Sequence, residues 1–138
     1  MARKKKSKST VNHSTANMER SATFPLSILS QLSNRKKDAE FIVVDGIKIR
    51  SDSQRYAVFK KSVKCCHCGI VGTLFAAEKS KACNPQHYHL NLYGLNADGE
   101  EILFTKDHIL PKSKGGANVI KNYQTMCTVC NGAKGNNI

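Results

Sequence analysis

Apolar residues along this chain fall into short, separate runs, and their spacing changes character from one segment to the next. In FPLSILSQL, residues 24–32, Leu26, Ile28, Leu29 and Leu32 recur at intervals compatible with a short helix. FIVVDGIKIR, residues 41–50, predicts two strands joined by Asp45-Gly46, a turn dipeptide that accepts positive φ, and hence a hairpin. Ser51 and Gln54 stand at capping-box spacing ahead of Tyr56, Phe59 and Val63, which predicts a helix over about 52–62. Residues 69–86 carry no single period and receive no assignment. Beyond them, HYHLNLYGLNADGEEILFTKDHI alternates apolar and polar positions on both sides of Asn96-Ala97-Asp98-Gly99, a second hairpin whose second strand ends near Asp107. Tyr88, Leu90, Leu92 and Gly94 share one face of its first strand, and Ile102 and Phe104 one face of its second; His87 and His89 fall on the opposite, polar side and are expected to be solvated. MCTVCNGAK, residues 126–134, predicts a short helix closed by Gly135.

Composition changes the picture at the N-terminus. The first 22 residues are rich in Lys, Ser, Asn and Thr, and no acidic residue precedes Glu19. Such a segment buries too little apolar surface to fold alone. The expected organisation is therefore a basic, largely disordered arm over 1–40, containing the possible short helix, and one folded domain over 41–138. Across all 138 residues, 22 Lys and Arg against 10 Asp and Glu leave a formal charge of +12, which favours polyanionic partners, DNA or RNA foremost. No apolar stretch suits a signal core or a membrane span, so a reducing cytosol without membrane attachment is expected.

Cysteine spacing then adds chemistry. Cys65/Cys68 and Cys127/Cys130 form two Cys-x-x-Cys pairs separated by 58 residues. Four soft thiolates at that spacing suit a tetrahedral ion, zinc above all. Closing so long a loop costs about 3.6 kcal/mol plus a constant. Structural zinc in small peptides contributes roughly 10–16 kcal/mol and offsets that cost with a surplus. A disulfide framework or unrelated buried thiols are the weaker alternatives in a reducing compartment. Cys66 and His67 lie inside the first pair and could substitute as ligands, whereas Cys83 has no neighbour and reads as a lone core or surface thiol.

Between the pairs lies Asp107-His108, followed by Pro111-Lys112-Ser113-Lys114-Gly115-Gly116, where glycines let backbone amides approach an anion and lysines add charge. The run DHILPKSKGGANVIKNYQTMCTVCNGAKGN, with the upstream knuckle KCCHCG, resembles the core of HNH endonucleases, the zinc-stapled branch of the ββα-metal (His-Me finger) nucleases, and is nearest in character to versions carried by tailed bacteriophages. These motifs span residues 56–136, and the first forty residues resemble no family.

The resemblance implies an α+β fold, a small ββα-metal core with its zinc held by the two knuckles, preceded here by a β-hairpin and the basic arm. It implies a metal-dependent DNA endonuclease in which His108 is the general base and Asp107 an acidic ligand of a catalytic divalent ion. Asn122 matches the residue that holds the loop and keeps the histidine oriented, and Asn131 matches the last ligand position. That position is usually histidine, and an amide oxygen is a suitable hard ligand in its place. Magnesium, or another divalent metal, is the implied catalytic cofactor beside structural zinc, and DNA the partner. Lys112, Lys114 and Lys134 are the expected nucleic-acid contacts, and the cytoplasm (of the host cell, for a phage-encoded protein) the expected location. A zinc-stabilised DNA-binding module without catalysis, or a zinc-ribbon RNA-binding protein, would share the charge and the cysteines. Neither explains why Asp107, His108 and Asn122 occur together.

Overall fold

The hairpin predicted around Asn96 is the centre of the molecule. In a computed structural model that describes residues 17–32 and 41–135, strands β1 (Met18–Phe24), β4 (Gly72–Ser80), β5 (His89–Leu95), β6 (Glu101–His108) and β7 (Tyr123–Cys127) form one antiparallel sheet in the order β1-β4-β5-β6-β7. Strands β2 (Phe41–Val44) and β3 (Ile47–Arg50) form a separate hairpin whose turn places Asp45 and Gly46 at φ +52° and +79°. Helix α1 (Gln54–Lys61) precedes the first knuckle and α2 (Thr128–Lys134) contains the end of the second. No helix among the described residues is long and apolar enough to cross a membrane.

Alternation along the strands builds the core. Phe75 faces Leu92 and Ala77 faces Leu90 across β4 and β5, with Ile102 and Phe104 continuing the layer on β6. Ile49 of β3, Tyr56 and Phe59 of α1, and Ile28 and Leu32 close over it. Each large side chain so buried contributes roughly 1.5–3 kcal/mol. The short 3-10 helix Leu26–Gln31 realises the helical spacing expected at 24–32.

Strands β5 and β6 pair only from Tyr93↔Leu103 to Leu95↔Glu101, then part company, and β6 continues with β7 alone. The first turn of α1 fills the gap. Tyr56 Oη accepts the Leu90 amide at 3.1 Å, and Arg55 donates to Leu90 O at 3.2 Å and to Asn91 Oδ1 at 3.0 Å. Buried backbone groups that have no neighbouring strand are thereby satisfied by side chains.

Three expectations require correction. Residues 18–24 are a strand and not the end of a basic arm: Arg20 Nε donates to buried Glu78 at 2.9 Å, its other nitrogens reach Glu101, and Glu78 also accepts from Asn91 and Tyr93. This ion pair and the β4 ladder outweigh the polar composition that suggested disorder. The expectation for residues 1–16 and 33–40 of the arm lies outside the described residues. The cap of α1 is Ser53, whose Oγ accepts from the Arg55 amide, and not Ser51, which is buried. His89 is not on a solvated face. It is half-buried, and burial, then the charges of Arg55, His87 and Arg50, lower its pKa to about 4.

Candidate functional site

The two knuckles meet. Cys65 and Cys68 lie in a tight turn after α1, closed by Cys65 N–H to Ile70 O at 2.8 Å and Gly69 N–H to Cys65 O at 3.1 Å, with Gly69 at φ +83°. Cys66 N–H donates to Thr125 O at 3.0 Å and ties this turn to β7, which ends at Cys127, one helical turn before Cys130. The four sulfurs of Cys65, Cys68, Cys127 and Cys130 all lie within 4.8 Å of one another. Cys68 Sγ and Cys127 Sγ are 3.9 Å apart, against about 3.8 Å for the edge of a tetrahedron with zinc–sulfur bonds of about 2.3 Å. All four are free thiols, so the disulfide alternative fails. Burial opposes ionisation of Cys65, yet backbone N–H groups of Cys127, Cys68 and His67 outweigh it and hold that thiol at about 6. Burial raises the pKa of Cys127 and Cys130, and neighbouring sulfurs raise Cys130 further. One preformed thiolate crowded by three more sulfurs is a site that a divalent cation resolves. Cys66 and Cys83 are exposed and outside the cluster.

The β6–β7 ribbon carries the second group of residues on two faces. Opposite partners in an antiparallel ladder project the same way, and the register pairs Asp107 with Gln124 and His108 with Tyr123. On the α2 side, Asp107 Oδ2 accepts from Gln124 Nε2 at 2.9 Å and from Lys134 Nζ at 2.7 Å. Lys134 Nζ also reaches His108 O at 2.6 Å. Asn131 Nδ2 donates to Thr105 Oγ1 at 3.1 Å, so the amide nitrogen is engaged and the oxygen is the group left to bind a ligand. On the other side, the His108 ring packs edge-on against Tyr123 with centroids 4.8 Å apart, and its Nε2 is 2.8 Å from Asn118 Oδ1. Tyr123 Oη donates to the same oxygen at 3.4 Å.

Asn122 closes the intervening loop. Its Oδ1 accepts from Leu110 N–H at 3.0 Å, its Nδ2 donates to Leu110 O at 3.2 Å and to Ala117 O at 2.9 Å, and its backbone oxygen accepts from Ile109 N–H at 2.8 Å. Gly116 is required here, since a Cβ would stand 1.8 Å from Leu110 O. Asp107, His108, Asn131, Lys112 and Lys134 line one cleft of about 240 Å³, together with Lys106. Lys114 is exposed on the loop outside it.

Asp107, His108 and Asn131 thus line one cleft, Asn122 closes the loop beside it, and the four cysteines cluster. Lys134, expected on nucleic acid, is instead turned inward onto Asp107 and the His108 carbonyl, because a buried carboxylate needs a counter-charge. Asn118, Gln124, Tyr123 and Lys106 complete the surroundings, and sequence reasoning does not find them. Their proximity depends on a loop returning and on strand register, neither of which leaves a local signal in the sequence. Asp107 and Asn131 each bring to the cleft a hard oxygen, the kind of donor that a magnesium-like ion takes. A family model described as HNH endonuclease matches residues 97–138, from the hairpin turn through the second knuckle. No curated protein and no solved structure matches the chain.

Proposed function

We propose that this protein, which belongs to the HNH endonuclease family through residues 97–138, is a metal-dependent DNA endonuclease that hydrolyses phosphodiester bonds in the cleft between the β6–β7 ribbon and the loop that follows β6. The observation that carries the reading is the lining of that one cleft by Asp107, His108 and Asn131, with the His108 ring held from behind by Asn118. An amide oxygen only accepts, so a neutral His108 carries its proton on Nε2 and presents Nδ1 as the base. A water in line with the phosphorus gives up its proton to Nδ1 as its oxygen bonds to phosphorus, and the bond from phosphorus to the 3′-oxygen breaks. Asp107 and Asn131 would hold a divalent ion such as magnesium, which when bound would supply positive charge for the phosphate and the departing oxygen.

The remaining residues set this chemistry in place. Gln124 and Lys134 occupy Oδ2 of Asp107 and leave Oδ1 as the ligand atom. Asn122 keeps the loop, and with it Asn118, at a fixed distance from β6. Cys65, Cys68, Cys127 and Cys130 would hold a zinc ion that would join the end of β7 to the turn after α1 and so fix the start of α2. Four thiolate ligands suit a reducing cytosol.

A second reading, a zinc-stabilised DNA-binding module without catalysis, rests on Lys134 Nζ, which already balances the Asp107 charge at 2.7 Å. Supercoiled plasmid incubated with magnesium separates the two. The parent nicks or linearises it, chelator stops the reaction, and His108→Ala is inert while keeping its zinc and its melting temperature. Cleavage by His108→Ala at the parental rate would eliminate the base assignment, and absence of cleavage by the parent with any divalent metal would leave the binding module.

A further inference from the structure

Basic side chains outside the catalytic residues form a connected track leading away from the cleft. On β6, Lys106 lies on the same face as His108, with its Nζ 4.4 Å from the Tyr123 ring centroid and 3.2 Å from Gln54 Oε1 on α1. Arg55, the next residue along α1, is close enough to lower the pKa of Lys106, after burial, and that of His89. From His89 the track passes to His87, ring centroids 5.2 Å apart, and from His87 to Phe41 at 5.1 Å. Lys48 Nζ sits 4.6 Å over the Phe41 ring, and Arg50 lies on the same ring while pairing with Asp52.

Apart from Arg50, which Asp52 balances, the cations of this track, Lys106, Arg55 and Lys48, have no carboxylate partner among the described residues; Lys106 and Arg55 are hydrogen-bonded only to neutral oxygens. Lys106 is held at Gln54 and Arg55 is the next residue of α1, so two cations without carboxylate partners are anchored at the same end of the helix, where a polyanion relieves their repulsion. The rings are not open stacking platforms. Tyr123 is covered by His108 and Lys106, and Phe41 by Lys48, Arg50 and His87. A single strand would need such platforms for its bases, whereas a duplex offers phosphates alone to a charged strip.

We propose that the strip from Lys106 through Arg55 to Lys48 is a second DNA-binding surface, holding backbone phosphates of duplex DNA that extends away from the cleft. It rests on the reading of the cleft as the place where DNA is cut, and it recruits α1 and the β2–β3 hairpin, both outside the family match.

The test is binding of a short DNA duplex by full-length protein carrying His108→Ala, measured by anisotropy across a salt series. Lys106→Gln and Lys48→Gln should each weaken binding several-fold at low salt and make the slope of log affinity against log salt shallower by about 0.9 for every phosphate no longer neutralised. Lys64→Gln, on the zinc knuckle, should change neither. Parental affinity and slope for both strip variants overturn the proposal; so does an equal effect of Lys64→Gln, which would mean diffuse charge, or a larger deficit on an unpaired strand than on the duplex. Lys48 is exposed on the hairpin, so its variant reports even where Lys106→Gln disturbs the sheet. Strip variants with weakened affinity beside a parent that never cleaves would sink the nuclease reading and leave this surface standing.

Discussion

Nε2 of His108 lies 2.8 Å from Oδ1 of Asn118, ten residues further along the chain. Asn122 folds the loop back to make the pairing, which in the proposed mechanism leaves one ring nitrogen for orientation and the other for chemistry. Under that proposal a neutral amide would take the place that a carboxylate has behind the histidine of a hydrolase triad.

Asn118→Ala should therefore slow cleavage without loosening the fold. Removing an orienting hydrogen bond of this kind costs about 1–2 kcal/mol, roughly a tenfold fall in kcat. Plasmid nicking rates at saturating magnesium, beside zinc content and melting temperature, check it. An unchanged rate would mean that the ring is held by Tyr123 packing alone.

Cys130→Ser should cost zinc and stability together. The Cys130 side chain completes a set of sulfurs contributed by two distant parts of the chain, and an incomplete shell forfeits much of the binding energy. Metal content should drop below one ion per chain and melting by more than about 5 °C. Cys83→Ser, exposed and outside the cluster, should leave both unaltered.

His89 gives stability a pH dependence of defined sign. Its folded pKa of about 4 lies below the value of about 6.5 for a free histidine, so the unfolded chain binds the extra proton between those values. Stability is accordingly full above about 6.5 and declines as pH falls towards about 4. Melting curves across that window should fall less steeply for His89→Gln than for the parent. Parallel curves would show that the ring is protonated in the fold without penalty.

Legibility in the sequence follows solvent exposure. The hairpins at Asp45-Gly46 and Asn96 to Gly99 are readable because their turn residues announce themselves and their flanking strands alternate. Strand β4 is not, because GTLFAAEKS is covered along most of both faces and Ala76, Ala77 and Glu78 are all buried, which erases the period of two. Strand β1 is obscured by composition: Arg20 reads as part of a basic arm until Glu78 and Glu101 are seen beside it.

By itself the sequence determined the ligand chemistry: four thiols in two pairs, a carboxylate next to an imidazole, and asparagines at intervals that the HNH resemblance interprets. Those properties are local, set by side-chain type and by separation along a few residues. Only the tertiary structure decided which groups face each other. That Lys134 pairs with Asp107, that Asn118 lies against His108, and that Lys106 reaches Gln54 of α1 beside the cleft all follow from strand register and a returning loop. Neighbours far apart in the chain arise from packing the whole, and no short stretch of sequence encodes them.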